Sequence, residues 1–186
     1  AISVRLGGVR ENYRVAPGLY CVGRPGPGSE VLVTANYKLS FDALRRELDG
    51  PDAWLLVLDT RGINVWCAAG KGIFGTDELI RQVKAAGLED RVSHRRLILP
   101  QLGATGVSAP EVKKRCGFQV VWGPVRAGDL KTFLQEGRKA RPDMRRVTFS
   151  TAERTVLVPV EISYMKKPVL IALLATATYA GIVLVH

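Results

Sequence analysis

The sequence predicts an α/β domain: a Rossmann-like open sheet, mostly parallel, with helices on both faces, followed by the start of a transmembrane helical region. Three observations predict this. Short apolar segments at 31–35, 53–58, 96–99 and 118–122 alternate with capped helical segments, the pattern of strand–helix–strand units. Pro168–Val185 is a run of 18 residues without a charge. The chain has 186 residues, 47% hydrophobic and 24% charged, a globular composition long enough to bury a core and unlike that of disordered or collagenous chains.

The elements follow in order. Val31–Ala35 (VLVTA) reads as a strand, and Ser40 is a candidate cap for a helix over Phe41–Leu48 that Gly50 stops. Ala53–Leu58 (AWLLVL) is a continuous apolar strand running into Asp59 and Thr60. Asn64 is a candidate cap for a short helix over Val65–Lys71. Thr76 with Asp77 and Glu78 starts a helix to Ala86, with acidic side chains at its positive end. Arg96–Leu99 (RLIL) is a third strand, Ser108 and Glu111 have capping-box spacing, and Gly117 closes that helix. Phe118–Trp122 (FQVVW) is a fourth strand, and Asp129 precedes a helix that Gly137 ends. The organisation expected is a domain over 1–147, a basic connector over 148–167 and a membrane helix over 168–186. The connector holds a last strand at 155–162 that Pro159 weakens.

Charge supports the membrane reading. The net charge is +10, with +1 on residues 1–93 and +9 on residues 94–186. As a helix, the uncharged run reaches ~27 Å, close to a hydrocarbon core of ~30 Å. Lys166 and Lys167 precede it, so the positive-inside tendency puts the domain on the cytoplasmic side of the inner membrane, within a longer membrane protein. Nucleic acid is not expected as a partner, because residues 129–148 carry only Phe133 as an aromatic.

Several chemistries are excluded. Three scattered cysteines, Cys21, Cys67 and Cys116, make no disulfide framework, and no Cys/His spacing suits zinc. There is no GxGxxG, and GKGIFGT is not a P-loop. In open α/β sheets the ligand lies beyond the carboxyl ends of the strands, here the segments 36–38, 59–75, 100–106 and 123–127. Within 62–76 (GINVWCAAGKGIFGT), Cys67 falls in the first turn of a short helix, where the positive helix end favours a thiolate. Ala68, Ala69 and Gly70 leave room for a large flat partner, Trp66 could frame it, and Lys71 could donate to a polar edge. On the residues alone, a ligating cysteine and an inert one in a tight connector are equally supported.

The run Asn64-Val65-Trp66-Cys67-Ala68-Ala69-Gly70-Lys71 resembles the cap-helix signature of the HgcA family, the corrinoid proteins of microbial mercury methylation. The segments VTANYK (33–38), LVLDTRGINVWCAAGKGIFGT (56–76), LILPQLGATG (97–106) and GFQVVWGPVRAGDL (117–130) extend the likeness. The chain is also similar, more distantly, to the corrinoid-binding domain of the corrinoid iron–sulfur protein of the acetyl-CoA pathway. The resemblance implies a corrinoid cofactor with Cys67 as the cobalt ligand. Around it, resemblance and loop position put Asn36, Thr60, Asn64, Val65, Trp66, Ala68, Ala69, Gly70, Lys71, Gly72, Phe74, Gly75 and Thr76 at the cofactor, with Gln101, Leu102, Gly103, Ala104, Gly123, Pro124 and Val125 completing its rim. The expected activity is methyl transfer from cobalt to Hg(II), the thiolate donating electron density along the axis. With no cysteine cluster for an iron–sulfur centre, the resemblance implies a ferredoxin-like partner of the HgcB type and a methyl-tetrahydrofolate source of methyl groups. The alternative is a corrinoid methyl carrier of the acetyl-CoA pathway without mercury activity. A non-enzymatic membrane tether is a third reading.

Overall fold

The structure is a computed structural model. It describes residues 13–48, 50 and 52–148, together with positions 151, 155, 158, 165, 168, 169, 171, 172, 175 and 176. The chain divides into two units, and Glu11–Val147 contains the sheet. The described positions from 151 to 176 belong to the second unit, and all are helical and exposed.

The sheet unit follows the alternation in the sequence. Its strands are β1 (Gly18–Val22), β2 (Glu30–Ala35), β3 (Ala53–Leu58), β4 (Arg96–Leu99) and β5 (Gln119–Trp122). Its helices are α1 (Lys38–Glu47), α2 (Val65–Gly70), α3 (Thr76–Ala85), α4 (Leu88–Arg91), α5 (Ala109–Cys116) and α6 (Leu130–Gln135). The strand order is β1-β3-β2-β4-β5, with β1 antiparallel to β3 and the other pairs parallel. Strand alternation builds two cores. Val31, Val33, Leu56, Leu58, Leu97 and Leu99 face α2, α3, α4 and α5. Leu32, Leu55, Val57 and Ile98 face α1 and α6 through Phe41, Leu130 and Phe133. Helices therefore cover both faces, as expected for buried, uniformly apolar parallel strands.

The order reverses at β2. The chain leaves β2 for β3 on one side and returns to β4 on the other, creating a topological switch point between β2 and β4. Those two strands pair in register only at Leu32 and Ile98, whereas β2 and β3 pair over six positions. Beyond Leu32 and Ile98 the strands are open toward their carboxyl ends.

The structure departs from the sequence expectations in several places, the short helix α4 among them. Strand β1 was not anticipated, because its five residues lie between Gly and Pro signals; Cys21 sits exposed on it. Helix α1 starts at Lys38 with Tyr37 as its cap, which puts Ser40 inside the helix. Ser108 caps α5 without a side-chain bond, and its N–H instead donates to Thr76 Oγ1 at 2.8 Å. Thr155 and Val158 are helical where a strand was expected. The transmembrane region is also corrected: among the described residues no helix is long and apolar enough to cross a membrane. Most of the run 168–185 lies outside the described residues. At 18 residues it is at the short limit for a span, where hydropathy alone does not separate a membrane helix from an apolar helix of another kind.

Candidate functional site

A cleft of about 330 Å³ opens at the switch point. Its floor is Leu32, Val33 and Thr34 of β2 with Ile98 and Leu99 of β4; its walls are Ala43 and Leu44 of α1 and Leu130 of α6. The rim is Asn64, Val65 and Trp66 on one side and Pro100, Leu102 and Gly123–Ala127 on the other. A Cβ at Gly123 would lie 3.2 Å from Ile98 Cγ2 and 3.3 Å from the Leu99 carbonyl, so glycine lets the β5 loop close down on β4. The lining is mostly apolar, with Thr34, Ser40, Asn64 and Arg126 as its polar side chains.

Helix α2 stands beside this cleft, and its placement is over-determined. Asn64 Oδ1 accepts the Cys67 N–H at 2.9 Å, the expected N-cap. That N–H is thus engaged and is not an open donor toward the sulfur. Val65, Ala68 and Ala69 are buried, whereas Trp66 is 50% exposed and Cys67, Gly70 and Lys71 are exposed. The helix closes on the Ala68 carbonyl, which accepts from Ile73 and Phe74. Phe74, fully buried, then packs against Gly103. Gly75 and Gly106 permit further close backbone approaches, at Gly72 and at Ala69 and Phe74 respectively.

The residues singled out by sequence fall into three groups. Asn64, Val65, Trp66, Leu102, Gly123, Pro124 and Val125 line the cleft. Cys67, Gly70, Lys71, Gly72 and Ala104 are exposed outside its lining. Asn36, Thr60, Ala68, Ala69, Phe74, Gly75 and Gly103 are buried and serve the scaffold, while Thr76 accepts from Ser108 and Gln101 accepts from Arg145 Nη1 at 3.2 Å. Sequence reasoning missed Ser40, Ala43 and Leu44, whereas Arg126 and Ala127 fall in the rim segment 123–127 it had marked. The apolar face of α1 was the available signal for Ala43 and Leu44; nothing local marked Ser40 as a lining residue.

Residues 8–134 match the family described as CO dehydrogenase/acetyl-CoA synthase delta subunit. The chain belongs to that family. It is 33% identical over 129 residues to the acetyl-CoA decarbonylase/synthase complex subunit gamma of Methanopyrus kandleri, covering 68% of this chain and 28% of that protein. The subunit gamma of Archaeoglobus fulgidus is 31% identical over 129 residues, covering 68% and 27%, and that of Methanocaldococcus jannaschii 32% over 128 residues, covering 68% and 26%. The chain thus spans little more than a quarter of the length of these relatives.

These findings correct the functional expectation. The family is that of acetyl-CoA decarbonylase/synthase subunits and not HgcA, so methyl transfer to Hg(II) is withdrawn. The HgcB-type ferredoxin, the methyl-tetrahydrofolate donor inferred alongside it and the inner-membrane setting fall with it, since the relatives are named as subunits of an enzyme complex. The HgcA likeness was carried by residues 64–71 and by segments at 33–38, 56–76, 97–106 and 117–130, and the family match over residues 8–134, which includes every strand of the sheet, overrides it.

Proposed function

We propose that the chain is the corrinoid-holding module of a methyl-carrier subunit of the acetyl-CoA decarbonylase/synthase type, working with the other subunits of such a complex. The observation that carries this reading is the apolar cleft at the switch point, open at the carboxyl ends of β2 and β4 and flanked by the small-residue helix α2. The residues present fit such a group. Among the described residues no cluster of three or more His, Cys, Asp or Glu could hold a bare metal ion. A corrin ring brings four nitrogens to its cobalt, so a single protein sulfur suffices. Cys67 offers that sulfur from an exposed first turn, on the same short helix as exposed Gly70, which adds no side-chain bulk.

When bound, the corrinoid supplies the cobalt that accepts and releases a methyl group. The chain's part is positional. Leu32, Leu99 and Leu130 would take up apolar surface in the cleft, Trp66 would frame its mouth, and α2 would present the Cys67 sulfur, a soft ligand suited to cobalt. The test is to load the chain with hydroxocobalamin under reducing conditions and compare wild type with Cys67→Ala after gel filtration. Retained corrinoid in both, with an absorption spectrum that changes on losing the thiol, supports the reading. A wild type that retains no corrinoid overturns it, and identical spectra remove Cys67 from the cobalt.

A further inference from the structure

Asn36 follows β2 and is 1% exposed, so its side-chain amide must find partners inside the protein. It finds them on one loop, 23 to 26 residues away. Its Oδ1 accepts the N–H groups of Thr60 at 3.1 Å and Gly62 at 2.9 Å, and its Nδ2 donates to Asp59 Oδ1 at 3.1 Å. The Thr60 hydroxyl lies 2.8 Å from Asn36 Oδ1 and 2.6 Å from the Ile63 carbonyl, and its single proton serves one of them at a time. The loop so gripped is a difficult one, with Arg61 and Gly62 both in the left-handed region at φ of 56° and 75°. It leads directly into Asn64, whose side chain holds the Cys67 N–H. The other end of the relay is anchored too: the Asp59 N–H donates at 2.7 Å to Glu78 Oε1 on α3, and the same carboxylate bonds Gln82 and Arg81.

We infer that Asn36 is a positioning residue for Cys67, acting through Thr60 and the 60–63 loop to set where α2 presents its sulfur. Asn36 and Thr60 are buried and spend their polar atoms on the loop. The functional meaning rests on the corrinoid reading, but the positioning itself does not, and the experiment separates the two.

The experiment measures amide hydrogen exchange in the chain without cofactor, for Asn36→Ala, Thr60→Val and Thr60→Ser. Phe133→Leu serves as the control, because Phe133 is buried on the opposite face of the sheet and lowers stability without touching the loop. The Cys67 and Ala68 amides bond to Asn64 and not to Asn36, so they report the placement of α2. Exchange there should be about tenfold faster or more in Asn36→Ala and Thr60→Val than in the control, measured relative to the amides of β4 and β5. Thr60→Ser should return to wild-type protection. Equal protection of Cys67 and Ala68 in Asn36→Ala, or in Thr60→Val if that variant alone folds, and in the control overturns the inference. With hydroxocobalamin bound, the Cys67-dependent spectrum should weaken in Thr60→Val and persist in Phe133→Leu. A wild type without corrinoid overturns the proposed function, while the exchange result still decides the positioning.

Discussion

Replacing Gly106 by alanine tests whether α2 is held by close backbone packing. A Cβ at this position would fall inside van der Waals contact of the Phe74 carbonyl oxygen and 3.1 Å from both Cα and O of Ala69. All three atoms are backbone, and those of Ala69 belong to α2 itself. No rotamer change relieves the clash, so the helix or the 103–106 loop must shift. Gly103→Ala differs in kind: its Cβ would lie 2.6 Å from Phe74 Cε1, a ring atom of a fully buried side chain that has some freedom to pivot. Overpacking of this sort costs about 1–3 kcal/mol; we expect ~3 kcal/mol for Gly106→Ala and ~1.5 kcal/mol for Gly103→Ala. The assay is urea unfolding by circular dichroism, with the fluorescence of half-exposed Trp66 as the local reporter. Adding Phe74→Leu should recover ~1 kcal/mol with Gly103→Ala and nothing with Gly106→Ala, since only the former meets the ring. A Gly106→Ala protein within ~0.5 kcal/mol of wild type, or equal rescue of both variants, would refute the packing argument.

Three other outcomes follow from the geometry. Asn64→Ala removes the α2 cap and should cost ~1 kcal/mol, seen first as a change in Trp66 fluorescence below the main transition. Arg138→Ala leaves Glu30, among the described residues, with Arg96 at 3.8 Å as its remaining ion-pair partner, and should cost ~1–2 kcal/mol for this partly exposed pair. Because Arg138 sits at φ 66°, Arg138→Gly should unfold at higher urea than Arg138→Ala by the equivalent of ~1 kcal/mol, although both lose the ion pair. The Asp143 carboxyl is held below its ordinary range, chiefly by the hydrogen bond from Arg141. A lowered folded value means its contribution is present above the unfolded carboxylate range and fades as the pH falls through the folded one. In Arg141→Ala, carbon-13 NMR should find this carboxyl titrating at higher pH, with little change in overall stability because the pair is exposed.

The local signals were reliable where one segment carries its own information. The four parallel strands were legible because each is a short, uniformly apolar run, and Asn64 as a cap because the residue and its N–H partner lie three positions apart. Thr76 shows the limit. It stands at the start of α3 as predicted, yet its hydroxyl serves Ser108, 32 residues on. Gly103 and Gly106 read as ordinary turn residues, and only the approach of Phe74 and Ala69 gives them a reason. The eight residues at 64–71 were legible as a capped, small-residue helix, but they and the segments around them pointed to the wrong family, which the match over 8–134 corrects.

By itself, then, the sequence determined the α/β class, the parallel strands, most helix boundaries and a cysteine in the first turn of a short capped helix, whose exposure only the structure decided. Each of these depends on residues within a turn or a strand of one another. The tertiary structure alone decided the order β1-β3-β2-β4-β5, the antiparallel edge strand, the opening between β2 and β4, and the inward use of Asn36 and Thr60. Those depend on partners distant in sequence, and a buried amide bonding to a loop more than 20 residues away looks, in sequence, the same as one pointing at a ligand.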